Sequence, residues 1–177
     1  MLPKKISFLM IFSLVTLLFP GFILAEYSGL SGFSELAFIK RNTFDPNHYY
    51  TEFINSSWKP GGGIFILNLA DRSERELFPQ MSGGVFGRFD ISFDAKRIVF
   101  SYKKSAGEGF RIYSANIDGT NLRQLTFPEP GEAETAKKFK RGKYHNGTDD
   151  MDPCWLPDGG IAFVSTRPRY GGLCDPS

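Results

Sequence analysis

Histidine and cysteine are nearly missing: the 177-residue chain has two of each, His48 and His145, Cys154 and Cys174. Two thiols cannot build a disulfide framework, and without a Cys-x-x-Cys-His segment there is no recognisable covalent haem attachment. Cys-x-x-Cys, His-Glu-x-x-His, Gly-x-Ser-x-Gly and the phosphate-binding glycine loop are absent as well, which removes the motif-based case for several enzyme classes. A surplus of positive charge is also lacking. The formal +2 rests on two lysines near the N-terminus, and residues 26–177 carry 19 basic against 19 acidic side chains. Nucleic acid is therefore not an expected partner, because phosphate binding needs Lys and Arg gathered on one face. "AKKFKRGKYH", Ala136 to His145, is the local exception, and a solvated loop is the preferred reading over an anion or membrane site.

What is present begins with a leader. "MLPKKISFLMIFSLVTLLFPGFILAEYSG" places Lys4 and Lys5 before an uncharged apolar run that breaks at Pro20 and Gly21 and reaches Ala25. This is the three-part layout of a secretory signal, so residues 1–25 are expected to form a signal helix, with cleavage after Ala25 and export to the periplasm or the extracellular space. The competing reading is an uncleaved anchor, which would be the only route to a membrane. The run from Ile6 to Leu24 approaches the roughly 20 residues that span a bilayer.

The rest of the chain repeats itself. "DISFDAKRIVFSY" (Asp90 to Tyr102) matches "DPCWLPDGGIAFVST" (Asp152 to Thr166), pairing Asp90 with Asp152, Asp94 with Asp158 and Phe100 with Phe163. An earlier partial copy, "ELAFIKR", sets Leu36, Ile98 and Ile161 at spacings of 62 and 63 residues. "GGIFILNLADRSERELF" parallels "GFRIYSANIDGTNLRQLTF": Ile64 to Ile112 and Leu77 to Leu125 are both 48 residues apart. Each piece reads as a hairpin, and Asp118-Gly119 supplies the positive φ of a tight turn. Short runs rich in Ile, Val, Phe and Tyr between Gly, Pro, Asp and Asn predict an all-β chain of propeller blades, with three or four antiparallel strands in each. Blade 1 is placed at about residues 34–79 and blade 2 at 83–128; an insertion follows at 129–149, and blade 3 starts at about 150–177. About two and a half blades make an incomplete propeller, hence the expectation of a fragment, a truncated reading frame or one partner in a larger ring. Such a chain would meet its remaining blades or another protein partner.

"WLPDGGIAFVSTR" and "IYSANIDGTNLRQLTF" resemble the TolB-type (WD40-like) β-propeller repeat. Within it Asp90, Asp94, Asp118, Gly119, Asp152, Pro157, Asp158 and Gly159 fill the turn and repeat positions, with Phe93 and Ala95 departing from the pattern. More narrowly, "FIKR", "HYYTEF", "PGGGIFILNL" and "DDMDPCWLPDGGIAFVSTR" resemble the middle domain of the hydrazine synthase alpha subunit family, over about residues 34–174. The resemblance implies an exported propeller and says little about chemistry, since fold and function separate readily. Two functions follow: a scaffold domain without a catalytic centre of its own, or a propeller segment of a multihaem oxidoreductase, shaping a haem pocket supplied elsewhere.

Candidate sites are few. Asp149, Asp150 and Asp152 have the oxygen chemistry of a Ca²⁺ site, but the preferred reading makes Asp152 a repeat residue and leaves Asp149 and Asp150 as loop carboxylates at the mouth. His48 with Tyr49 and Tyr50, and His145 with Cys154 and Cys174, offer transition-metal donors at spacings that support no site. Cys154 is expected to be small and buried beside Trp155, with a Cys154–Cys174 disulfide as the alternative. Trp58, Tyr49 and Tyr50 are expected to pack over the sheets in preference to lining a carbohydrate or peptide site.

Overall fold

The computed structural model describes residues 32–42, 59–105, 107–134 and 148–167. The leader, His48, Tyr49, Tyr50, Trp58, His145 and Cys174 lie outside the described residues. What is described is nearly all-β, in three antiparallel sheets. The first holds β1 (Glu35–Lys40), β2 (Gly63–Asn68) and β3 (Glu74–Glu76). The second holds β4 (Val85–Ile91), β5 (Arg97–Lys103), β6 (Arg111–Asn116) and β7 (Arg123–Gln124), and the third holds β8 (Asp150–Trp155) and β9 (Ile161–Ser165). Within each sheet, neighbours in sequence are neighbours in space, as hairpin-connected strands require. A 3-10 turn, Pro79–Met81, carries the chain from the first sheet to the second.

The apolar run of β5 is explained by burial on both faces. Side chains alternate across a strand, so Ile98, Phe100 and Tyr102 point one way and join Ile64, Ile66, Phe78, Met81 and Phe86 in the core between the first two sheets. Val99 points the other way and packs with Ile112, Trp155 and Ile161 against the third sheet. A strand covered on both sides can be continuously apolar, which is why "RIVFSY" shows no alternation.

Turn chemistry sets the register. Asp71, Asp94, Asp118 and Asp158 each accept, through Oδ1, the backbone N–H of the residue two positions on, at 2.8–3.1 Å. Ala95 and Gly159 take the matching left-handed position of their turns, at φ 57° and 86°. Ala95 bears there the steric cost that glycine avoids. Leu77 donates its N–H to the Ile64 carbonyl and Leu125 to that of Ile112, so the 48-residue offset recurs in three dimensions.

One pairing read from the sequence is not the structural one. Ile91 pairs with Ile98 and Trp155 with Ile161, so Asp90 stands in register with Cys154. Asp152 falls two residues earlier, in the irregularity between Met151 and Cys154, at φ 49°. Matching aspartates by identity misses this because ladder pairing and turn length, not residue type, fix the register.

Candidate functional site

The densest gathering of charged side chains among the described residues is the joint between the second and third sheets. It is built from β6, from the chain leaving β7, and from β8 with β9. Arg111 opens β6 and is buried. Its Nη1 donates to the Phe110 carbonyl at 2.9 Å and to the Thr148 carbonyl, while Nη2 grips both oxygens of Glu132 at 2.9 Å. Glu132 also accepts the Thr148 N–H at 2.7 Å and the Glu129 N–H at 3.1 Å. One guanidinium and one carboxylate thereby tie the two flanks of the insertion, residues 132 and 148, to each other and to β6.

The next two residues extend the lock. Asp149 accepts the Phe110 N–H at 2.8 Å, and the Asp150 N–H donates to the Phe110 carbonyl at 3.0 Å. The Asp150 side chain accepts from Ser165 Oγ at 2.8 Å, Arg167 Nε at 3.0 Å and Arg167 Nη2 at 2.6 Å. Thr166 Oγ1 accepts the Asp149 N–H at 2.8 Å. Gly109 closes the approach: a Cβ there would sit 1.8 Å from the Thr148 carbonyl oxygen, so no side chain fits. At the far end of β8, Asp90 accepts the Trp155 N–H at 2.8 Å, and the Arg97 guanidinium lies 4.4 Å from the centre of the Trp155 ring.

Burial alone would raise the Asp150 carboxyl, but hydrogen bonds from Arg167, Ser165 and Thr126, with the Arg167 charge, outweigh it and hold the group below the usual carboxylate range. Glu132 behaves alike: burial pushes it up, and the Thr148 N–H together with Arg111 pulls it lower. The Lys103 ammonium is pushed down by burial, against the pull of Asp149.

This geometry corrects two expectations. Asp149 and Asp150 are 3% and 0% exposed, so they are not loop carboxylates at a mouth; the guanidinium and amide donors that bury them are far away in sequence. Cys154 is exposed, because β8 turns Trp155 inward and leaves its neighbour on the outer face. The three aspartates do not converge either. Asp152 pairs with Arg88 at 3.6 Å on the surface, and among the described residues no group of three or more His, Cys, Asp or Glu side chains is placed to hold a metal ion. Sequence reasoning missed Arg111, Glu132 and Arg167. For Arg111 the one available signal was a charge between two apolar residues, Phe110 and Ile112, at the start of a strand.

No family model matches the chain, and no curated protein matches it. Among solved structures it is similar to Kuenenia stuttgartiensis hydrazine synthase, at 17% identity and a TM-score of 0.39, over 74% of this chain. The chain spans only 16% of the length of that one.

Proposed function

We propose that residues 26–177 are an exported β-propeller interaction module, a scaffold without a catalytic centre of its own. The observation that carries this reading is the use to which the buried charges are put. Arg111, Glu132 and Asp149 hold the second sheet against the third, and Asp150 ties β8 to β9 and to Arg167, through backbone amides, hydroxyls or opposite charges of the same chain. A carboxyl group that works as a general acid or base needs a pKa poised near its working pH. Asp150 and Glu132 are instead held low by fixed donors, as joint residues are. The two long connections, one between β1 and β2 and one between the second and third sheets, suit recognition, since loops carried on a rigid scaffold are where binding residues gather.

Three measurements test this. Fractionation of the tagged full chain should find it outside the cytoplasm with its mature end near Glu26; recovery from the cytosol with Met1 retained removes export. Calorimetry should give no Ca²⁺ binding tighter than the roughly millimolar range of weak extracellular sites. Titration with haem should leave no Soret complex after desalting; a retained stoichiometric complex would move the reading to an oxidoreductase segment.

A further inference from the structure

Lys103 is the last residue of β5 and stands opposite Val85 in the β4–β5 ladder. Side chains alternate along a strand, so Lys103 shares with Val99 and Ser101 the face turned toward the third sheet. Its surroundings there are apolar. Val85, Phe110 and Met151 form a buried cluster drawn from β4, from the chain entering β6 and from β8, and the Lys103 ammonium lies 6.0 Å from the centre of the Phe110 ring. Lys103 is half-buried, whereas Lys96 and Lys104 are exposed and Lys40 is ion-paired with Glu74.

This placement serves an ammonium poorly. Among the described residues the Lys103 nitrogen has neither a hydrogen-bond acceptor nor an ion-pair partner, and its one close contact is a ring face at the outer limit of a cation–π interaction. The nitrogen is not sealed in, for it is not one of the unpartnered atoms shut off from solvent. Burial disfavours the charged form, and the pull of Asp149, whose Oδ1 accepts the Phe110 N–H, offsets it only in part. An amine kept partly neutral against an apolar wall and still reachable is a nucleophile.

We propose that Lys103 is a covalent modification site, at which the side-chain amine adds to a small apolar aldehyde and holds it as an imine. The Nζ lone pair attacks the carbonyl carbon, and a C–N bond forms as the carbonyl π pair moves to oxygen. Two protons pass from nitrogen to that oxygen, which leaves as water while the nitrogen pair closes the C=N bond; nothing is oxidised or reduced. The surroundings select this product. An imine takes up a proton and so keeps a positive charge near Asp149 and the Phe110 ring, whereas a carbamate formed from carbon dioxide would set a second negative charge near that carboxylate. The Val85, Phe110 and Met151 cluster favours an alkyl or aryl substituent over a charged one.

Limited labelling of the full chain with propanal and cyanoborohydride, which traps an imine as a propylamine, tests the assignment by peptide mass mapping. At neutral pH Lys103 should be propylated about threefold or more faster than Lys96 and Lys104, and the preference should vanish in urea. The rate at Lys103 should also level off at a lower pH than the rate at Lys104. D149N keeps an oxygen for the Phe110 N–H and removes the opposing charge, so it should quicken labelling at Lys103 further. Equal rates at Lys103 and Lys104, a preference that survives urea, or pH profiles that coincide would overturn the proposal, as would slower labelling of Lys103 in a folded D149N. Should D149N not fold, the pH profiles of the wild-type chain decide.

Discussion

The two joints of this molecule are made of different material. Between the first and second sheets the contact is a ring cluster: Phe78 stacks on Phe100 at 4.9 Å, Phe86 meets Tyr102 at 5.0 Å, and Tyr113 stacks on Phe100 at 5.8 Å. Its buried polar atom is settled, since the Tyr102 hydroxyl donates to the Met81 carbonyl at 2.8 Å. Between the second and third sheets, two small apolar clusters flank a chain of guanidinium, carboxylate and amide groups. Arg111 Nε, Thr148 Oγ1 and Trp155 Nε1, the buried side-chain atoms without a hydrogen-bond partner among the described residues, all lie on this side. Apolar contact is non-directional and tolerates small shifts, whereas a directional polar network holds one geometry and is weakened by the loss of any member. The first joint is thus a matter of stability, and the second one of conditional order.

The largest test of that contrast is Phe100→Ala. The ring is fully buried between sheets, so its removal should cost about 3–5 kcal/mol and lower a single melt shared by the first and second sheets in calorimetry. Arg111→Ala should cost about 3 kcal/mol by stranding the Glu132 carboxylate, but its loss should be local. Hydrogen exchange should quicken at amides of β8 and β9 and stay unchanged in β1 and β2. Equal loss in all three sheets would mean that the joints are not separable.

Acid should act in the same direction as Arg111→Ala and more weakly, since it removes charge without removing atoms. Asp150 and Glu132 are held below their ordinary values in the folded chain, so the stability they give is fully present above the unfolded carboxylate range near pH ~4. It is lost as pH falls through the lower folded values. Lys103, lowered by burial, acts at the alkaline end, where the joint gains as pH rises toward the ordinary lysine value. Emission from Trp155 in a Trp58→Phe background should therefore report the third sheet loosening in acid before the ring cluster melts. Smallest is Glu129→Gln. Its carboxylate is 3.8 Å from Arg167 and substantially exposed, so the change should stay within about 0.5 kcal/mol by denaturant titration.

How far the sequence could be read depended on the range of each interaction. The aspartate turns were legible because Asp94, Asp118 and Asp158 bond amides two residues away. The 48-residue echo was legible because Leu77 and Leu125 close equivalent hairpins. The Arg111 lock was not, since its partners Glu132 and Thr148 lie 21 and 37 residues on, across an insertion with no pattern of its own. In "TDDMDP" the sequence reading put Asp150 in a loop and Asp152 in the repeat, yet Asp150 is fully buried while Asp152 is exposed.

The all-β character and the aspartate turns were legible in the sequence alone, because turn chemistry and strand-forming composition act over a few residues. Which face of each strand is covered, and which charges become partners, was decided only by the tertiary structure. Stacking one sheet on another brings together side chains that no local rule connects. A carboxylate's surroundings, and hence its role, are set by whatever that stacking places against it.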